Sequence, residues 1–369
     1  MKKVIAILTL LLTLTSCNGN TLPPQNLTPN GETVTPSGAI TVVSDNLDSD
    51  VESLTQGLQT VVMSKLGAFV QNPTAIESMT TYNNADGTKT YTFTLYPDLK
   101  FSDNNAVTAK DYLFSVLVMD DFPAVLGYKE YKSGEKVTFK GLRLISDYKF
   151  SVTLSADAMP NYYESSLVAI TPYPMSVLCP EAEIVDTDNG VYIKNVTAIK
   201  DDKKVTSGAY YLMDMTSDTA SLRLNPYFKG NYEKQKPTIE IIKITTKDIR
   251  ADIYPNSKNI PQGNYPGSEF KSTPHQKTDI ANLLISKDID FASLFNVGEA
   301  EVEKIKAYLL ETGEFDTESY LKKVNALNLT IPESELVDYS LSWRIRNYTN
   351  ISGHWDWTNQ ILYCWIARE

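Results

Sequence analysis

Histidine and cysteine are nearly missing from this chain, with two and three residues among 369. His275 and His354 form no ligand pair, so a histidine-based metal centre is not expected. Cys17, Cys179 and Cys364 lack the paired spacing of a zinc or redox motif, and three are too few for a disulfide scaffold. Cys179, between Leu178 and Pro180, reads as a small buried hydrophobe. There is no His-Glu-x-x-His, no Gly-x-Ser-x-Gly elbow and no glycine-rich phosphate loop. Neither an enzyme nor a cofactor is therefore expected. Basic residues number 34 against 45 acidic ones, for a net charge of −11, and no basic patch is visible. That balance argues against a nucleic-acid partner. Asp45, Asp48 and Asp50 are closely spaced, but the glycine and terminal glutamate of a calcium loop are misplaced, so a solvated loop is expected. Asp186 and Asp188, near Gly190, fail in the same way.

What the chain does carry begins at its head. Lys2 and Lys3 precede an apolar run from Val4 to Leu14, too short to span a bilayer as a lasting helix. The run ends Leu14-Thr15-Ser16-Cys17, which resembles a bacterial lipobox. The resemblance implies a lipoprotein signal peptide over residues 1–17 and an acyl anchor on Cys17. Residues 18–38 are rich in Asn, Thr, Pro and Gly without periodicity, and read as a flexible tether.

The most informative stretch is Tyr91 to Ser115. Tyr91, Phe93 and Leu95 alternate with threonines at the period of a half-buried strand, and Pro97-Asp98 breaks the run. Thr108 stands three residues before Asp111, ahead of an apolar run, as in a capping box. The helix it opens places Leu113, Phe114 and Leu117 on one face. Asn104 can adopt positive φ and so can hold a turn.

Taken whole, this string resembles the signature of the family 5 extracellular solute-binding proteins, the oligopeptide, dipeptide and nickel receptors of ABC importers. Tyr91, Phe93, Leu95, Lys100, Phe101, Asp103, Thr108, Ala109, Asp111, Phe114 and Ser115 match the family pattern. Tyr96, Asn104 and Ala106 stand where Arg, Gly and Pro are usual. A second block, Val205 to Ile244, keeps the family's Gly208, Tyr210, Leu212, Asn225, Pro226 and Gly230, with Ala209 for Pro and Phe228 for Trp. Physically it reads as two strands, an Asn-Pro turn and a further strand. A third block, Ser286 to Ala292, is similar to the strand opening the family's second lobe.

Elsewhere, Ala39 to Val43 looks like the first strand, Asn84 to Gly87 a turn, and Lys149 to Leu154 a strand. Pro160 can open a short helix over Tyr162, Tyr163 and Leu167. Lys277 to Asp288 is helical in pattern, as is the segment of Val302, Ile305 and Leu309, ending near Gly313. Asp252 to Gln276 reads as a long insertion or hinge-side loop.

The resemblance implies an α/β, two-lobed, periplasmic-binding-protein-like fold of type 2, with the second lobe incomplete. Residues 39–247 form lobe I with its inserted subdomain, residues 248–340 begin lobe II, and residues 341–369 are an atypical tail. All four tryptophans, Trp343, Trp355, Trp357 and Trp365, lie there. The tail is either a Trp-rich cap or the product of a shifted reading frame, the second being the expectation. Such a chain would leave a lobe I sheet edge and part of its core exposed, and would be poorly stable.

The function implied is capture of oligopeptides or dipeptides for an ABC importer, outside the cytoplasm, at the membrane through lipidated Cys17. The partners would be a peptide and the permease subunits. The alternatives are a truncated or degenerate member that binds no solute, and a receptor for a nickel chelate, haem or an oligosaccharide. Ser44, Asp45 and Asn46, just after the first strand, are the expected ligand contacts.

Overall fold

The computed structural model describes residues 36–64, 69–158, 164–196, 198–200, 204–247, 249–255, 268–273, 298–310, 337–342, 344–347 and 357–367. Strand β1 (Ala39–Val43) leads to helix α1 (Leu47–Thr55) and the hairpin β2 (Val61–Met63) and β3 (Phe69–Gln71). Strands β4 (Ile76–Asn83), β5 (Lys89–Leu95), β6 (Leu142–Ser146) and β7 (Lys149–Leu154) form an antiparallel sheet in the order β4-β5-β7-β6. Helices α2 (Ala109–Phe114) and α3 (Tyr128–Lys132) lie between β5 and β6. Helix α4 (Met175–Leu178) then precedes the hairpin β8 (Glu183–Thr187) and β9 (Gly190–Lys194).

The sheet of β4 to β7 forms where the sequence alternates. Tyr91, Phe93 and Leu95 of β5 are buried, and the Phe93 ring stacks on Phe150 of β7 at 5.2 Å between centroids. Tyr112 of α2 also stacks on Phe150, at 5.3 Å. The start of α2 is fixed as its sequence implies: the Thr108 amide and hydroxyl both donate to Asp111 Oδ2, at 2.8 and 2.9 Å. Asp111 Oδ1 accepts from the Met175 amide at 3.1 Å, which ties α2 to α4. Leu113, Phe114 and Leu117 are buried, and the helix passes into a π turn over Ser115–Met119. Asn104 turns at φ +73°.

A second sheet has seven strands. Its further members are β10 (Tyr210–Met215), β11 (Thr219–Leu224), β12 (Ile241–Thr245), β13 (Ile253–Tyr254), β14 (Ser268–Thr273) and β15 (Val337–Ser342). The order is β10-β11-β12-β1-β13-β15-β14. Strand β1 sits at the centre, parallel to β12 and β13; the remaining pairs are antiparallel. The register sets Ile40 beside Ile242 and Val42 beside Ile244. On that face α1 buries Leu47, Val51 and Leu54, spaced by four and three residues as one helix stripe requires. Asn225 serves the turn after β11: its Nδ2 donates to the Gly208 carbonyl at 2.9 Å and its Oδ1 accepts from the Tyr227 amide at 2.9 Å.

Close packing and hydrogen bonds brace the region where the two sheet units meet, and the main-chain bond between Ser102 and Thr206 crosses it. The Gly208 amide donates to the Thr55 carbonyl at 2.7 Å, and a side chain at Gly208 would put its Cβ 2.4 Å from Thr55 backbone carbon. Glycine is required there by close approach, since its φ is unexceptional. The Tyr112 hydroxyl donates to the Leu58 carbonyl at 2.6 Å, and Ser102 and Thr206 join main chain at 2.9 Å.

Three expectations are corrected. The acidic stretch after β1 is helix, because Asn46 caps it and three apolar residues follow at helical spacing. Asp252 to Gln276 is not all loop: it supplies β13 and β14, whose two-residue length and mostly polar sequence hide them from periodicity. The tail does not stand apart. A boundary at Leu341 would cut β15, which pairs with β13 on one side and β14 on the other. Beyond it, β16 (Ile345–Arg346), α6 (Trp357–Gln360) and β17 (Trp365–Ile366) follow α5 (Glu299–Leu310) in the chain. Ile345, Trp357, Ile361 and Cys364 belong to the same buried cluster as Ile40 and Tyr210. The tail thus covers core that was expected to be exposed.

The segment after Pro160 contributes a 3-10 turn at Glu164–Val168, holding Leu167. Tyr162, Tyr163, Lys277 to Ala292, Gly313 and both histidines lie outside the described residues, as does Cys17.

Candidate functional site

Helix α1 carries two kinds of stripe. Its apolar stripe enters the seven-stranded core. Its polar stripe, Asp48, Glu52 and Gln56, repeats every four residues and lines a groove of about 470 Å³. The facing wall is Pro172, Tyr173 and Pro174, which lead into α4. Thr206, Ser207 and the exposed Lys200 also line it, and Met119, Leu178, Leu212 and Met215 are among its apolar members. The groove therefore lies where the two sheet units meet, with walls from both.

Its electrostatics centre on Tyr173. Gln56 Nε2 donates to Glu52 Oε1 at 2.7 Å and to the Tyr173 hydroxyl at 2.9 Å. Burial, with the negative charges of Asp120 and Glu52, pushes the Tyr173 phenol up to about 12. Asp120, which accepts from Tyr173, has its carboxyl raised by burial first and by Glu52 second. Burial is the larger cause of both shifts, and the neighbouring carboxylates of Glu52 and Asp120 add to it; those carboxylates favour a positive group on a ligand.

The loop expected to touch ligand sits beside this groove. Ser44 is buried, and its hydroxyl donates to Asp50 in a short hydrogen bond. The same oxygen accepts from the Asn46 amide at 2.9 Å, and Asn46 Oδ1 caps α1 through the Ser49 amide at 3.2 Å. Asp45 and Asn46 are exposed. Asp50 Oδ1 accepts from the Trp357 indole at 3.0 Å, so the tail holds the base of this loop. Asp48 joins the groove while Asp50 faces Ser44 and Trp357, which separates two of the three aspartates once considered together. Among the described residues no group of three metal-ligating side chains converges.

Sequence reasoning singled out the loop of Ser44, Asp45 and Asn46 and did not single out the groove. The signal for Glu52 and Gln56 was their spacing from Asp48, legible only once the segment is known to be helical. Tyr173 and Lys200 carry no local signal; they reach the groove through the fold.

Cys179 and Cys364 are both buried and free. Burial raises the Cys364 thiol, whose Sγ donates to the Gln360 carbonyl at 3.3 Å. Neither thiol is placed for reaction.

Among solved structures, the chain is similar to the periplasmic binding protein AgaA in complex with agropinic acid from A. tumefaciens R10. Identity is 11%, coverage is 90% of this chain and 99% of that one, and the TM-score is 0.51. This likeness shows a shared fold. Lactococcal OppA, complexed with an endogenous peptide in the closed conformation, is 16% identical over 65% of this chain, with a TM-score of 0.45. Listeria monocytogenes OppA bound to peptide is 18% identical over 71%, with a TM-score of 0.43. The chain spans 50% and 58% of those two proteins. No curated protein matches. The sequence profile described as "Bacterial extracellular solute-binding proteins, family 5 Middle" matches residues 75–330, and proteins of that family are non-catalytic transport receptors. With more than half its length matched, the chain belongs to the family 5 bacterial extracellular solute-binding proteins.

Proposed function

We propose that this chain is the solute-capturing component of an ABC importer and that it holds a peptide in the groove along α1. The carrying observation is the groove itself. At about 470 Å³ it falls within the range of about 300–1,000 Å³ usual for ligand sites, and it combines apolar members with a few placed polar groups. The peptide's ammonium group lies toward Asp48, Glu52 and Asp120. Its carboxylate lies toward Lys200. Asp45 and Asn46 contact the ligand at the mouth, and Ser44 fixes the loop that presents them. Residues 39–247 act as lobe I, whose sheet β13, β14 and β15 extend, and the chain between β14 and β15 belongs to lobe II, so binding closes the second lobe over the first. Cys17 carries the lipid that keeps the receptor at the membrane beside its permease subunits, with residues 18–38 as tether.

The test is thermal unfolding of the chain from Cys17 onward with a mixed pool of short peptides. A ligand at 100 times its Kd adds about 2.7 kcal/mol of stability, which gives a readable rise in midpoint. Glu52→Lys should reduce the rise for peptides with a free amino terminus and spare that for N-acetylated ones. No rise with any peptide would leave a family member that binds no solute, and would overturn the reading.

A further inference from the structure

A second cavity adjoins the groove, and its chemistry is different. Gln56 borders both, but the groove takes Asp48, Glu52 and Thr55 from α1, while the second cavity takes Ser53 and Leu54 from the other flank of the helix. Its volume is about 310 Å³. It is walled by β2, by the turn at Asn72 and Thr74, by Phe228 to Tyr232, and by the tail from Thr358 to Tyr363. Three parts of the fold distant in sequence therefore meet around it.

Among the described residues, the lining contains no Asp, Glu, Lys, Arg or His. In a chain that is 21% charged, with a net charge of −11, that is a marked departure from the groove next door. In place of charges the walls carry carboxamides: Gln56, Gln59, Asn72, Asn231 and Asn359. Two of these are buried and brace the walls. Asn72 Oδ1 accepts from the Thr74 amide at 3.0 Å, and Asn231 Oδ1 accepts from the Glu233 and Gln235 amides, both at 3.0 Å. Asn231 Nδ2 also donates to the Leu362 carbonyl at 3.3 Å, which fastens the tail as one wall. The lining also includes the aliphatic and aromatic side chains of Leu58, Phe228 and Leu362.

We infer that this cavity is a second ligand site, for a small uncharged solute that carries amide or hydroxyl groups beside an apolar face. Gln56 is held by Glu52 and Tyr173, and Asn72 and Asn231 by the walls. The pairing with a ligand therefore falls to Gln59 and Asn359, whose carboxamides both donate and accept and so suit either group. An ionised ligand would lose its hydration and gain no counter-charge from this lining, a cost that excludes it. The volume stands at the small end of the range for ligand sites, which limits the occupant to a single residue or ring. Because one wall is the tail, an occupant would also hold the tail against the two sheet units. The inference does not rest on the peptide reading of the groove.

The test uses the full chain and matched probes. N-acetyl-leucinamide and glucose are the neutral amide and hydroxyl arms; leucine and leucinamide carry charge. Titration calorimetry should show binding of at least one neutral probe and none of the charged pair. Val62→Trp fills the cavity from its half-buried rim and should abolish that binding while leaving the peptide response of the groove intact. Should that variant not fold, Asn359→Asp, at an exposed wall position, places a charge in the lining and should weaken the neutral probe about tenfold. Absence of binding by both neutral probes, equal binding by leucine, or full binding in the variant that folds would each overturn the inference.

Discussion

The four-stranded sheet is drawn from one stretch of chain, all of it between Ile76 and Leu154, whereas the seven-stranded sheet gathers strands from Ala39 to Ser342. Both bury dense apolar clusters. The first sheet is made of neighbours in sequence, joined by two hairpins and the connection that carries α2 and α3. The second sets β1 at its centre between β12 and β13, about two hundred residues away, and closes its cluster with α6. Long-range pairing bears loop-closure entropy before contacts return it, so the second unit should form later and depend more on distant segments. The groove and the uncharged cavity both lie where the early, local unit meets the late, assembled one.

This comparison can be tested because all four tryptophans lie from residue 343 onward, and Trp357 is buried in the second core. Tryptophan fluorescence therefore reports the assembled unit, while far-ultraviolet circular dichroism reports both. The largest expected effect is that of Phe150→Ala, which removes a fully buried ring that stacks with both Phe93 and Tyr112. It should cost about 3–5 kcal/mol in denaturant unfolding. Since the Ser102–Thr206 main-chain bond and a shared junction couple the units, the tryptophan signal should shift with the dichroism; separation of the two would show independent domains. Ile361→Ala, in the tail, should cost about 2–5 kcal/mol. A cost below about 0.5 kcal/mol would mean the tail is not part of the core.

Next comes a dependence on pH within the local unit. Burial raises the Asp111 carboxyl to about 6 from an ordinary 3.8, against the hydrogen bonds that lower it. A carboxyl raised on folding binds its proton more tightly in the folded state. Its contribution is therefore fully present below about pH 4 and is lost as pH rises through about 6, on the order of 3 kcal/mol in all. Asp111→Asn should lower stability through the lost cap yet flatten this part of the pH profile, as read by unfolding at pH 4 and pH 7. The smallest effect is at Asn104, where φ is +73°. Asn104→Gly should stabilise by at most about 1 kcal/mol, through relief of the left-handed conformation.

The sequence made the local unit legible for the same reason that it folds locally. The alternation of Tyr91, Phe93 and Leu95, the Thr108–Asp111 cap and the turn at Asn104 are each decided within a few residues. The exception is β4, whose single buried residue, Ile76, leaves no alternation to read. In the assembled unit, β10, β11 and β12 were visible through Tyr210, Leu222 and Ile242, but β13 and β14 were not. Their strand state comes from partners across the sheet, which no local pattern records. Helix α1 was hidden by its acidic residues, and with it the polar stripe of the groove. The tail's composition suggested a foreign segment; its Trp357 and Ile361 are nevertheless buried against α1 and β1's neighbours.

The central claim is that ligand binds along the polar stripe of α1. Hydrogen–deuterium exchange of the full chain, with and without the mixed peptide pool, tests it most directly. The account predicts added protection in Leu47–Thr55, in the Tyr173 wall and around Thr206 and Ser207. A pool that raises the unfolding midpoint while leaving exchange in all three segments unchanged would contradict it.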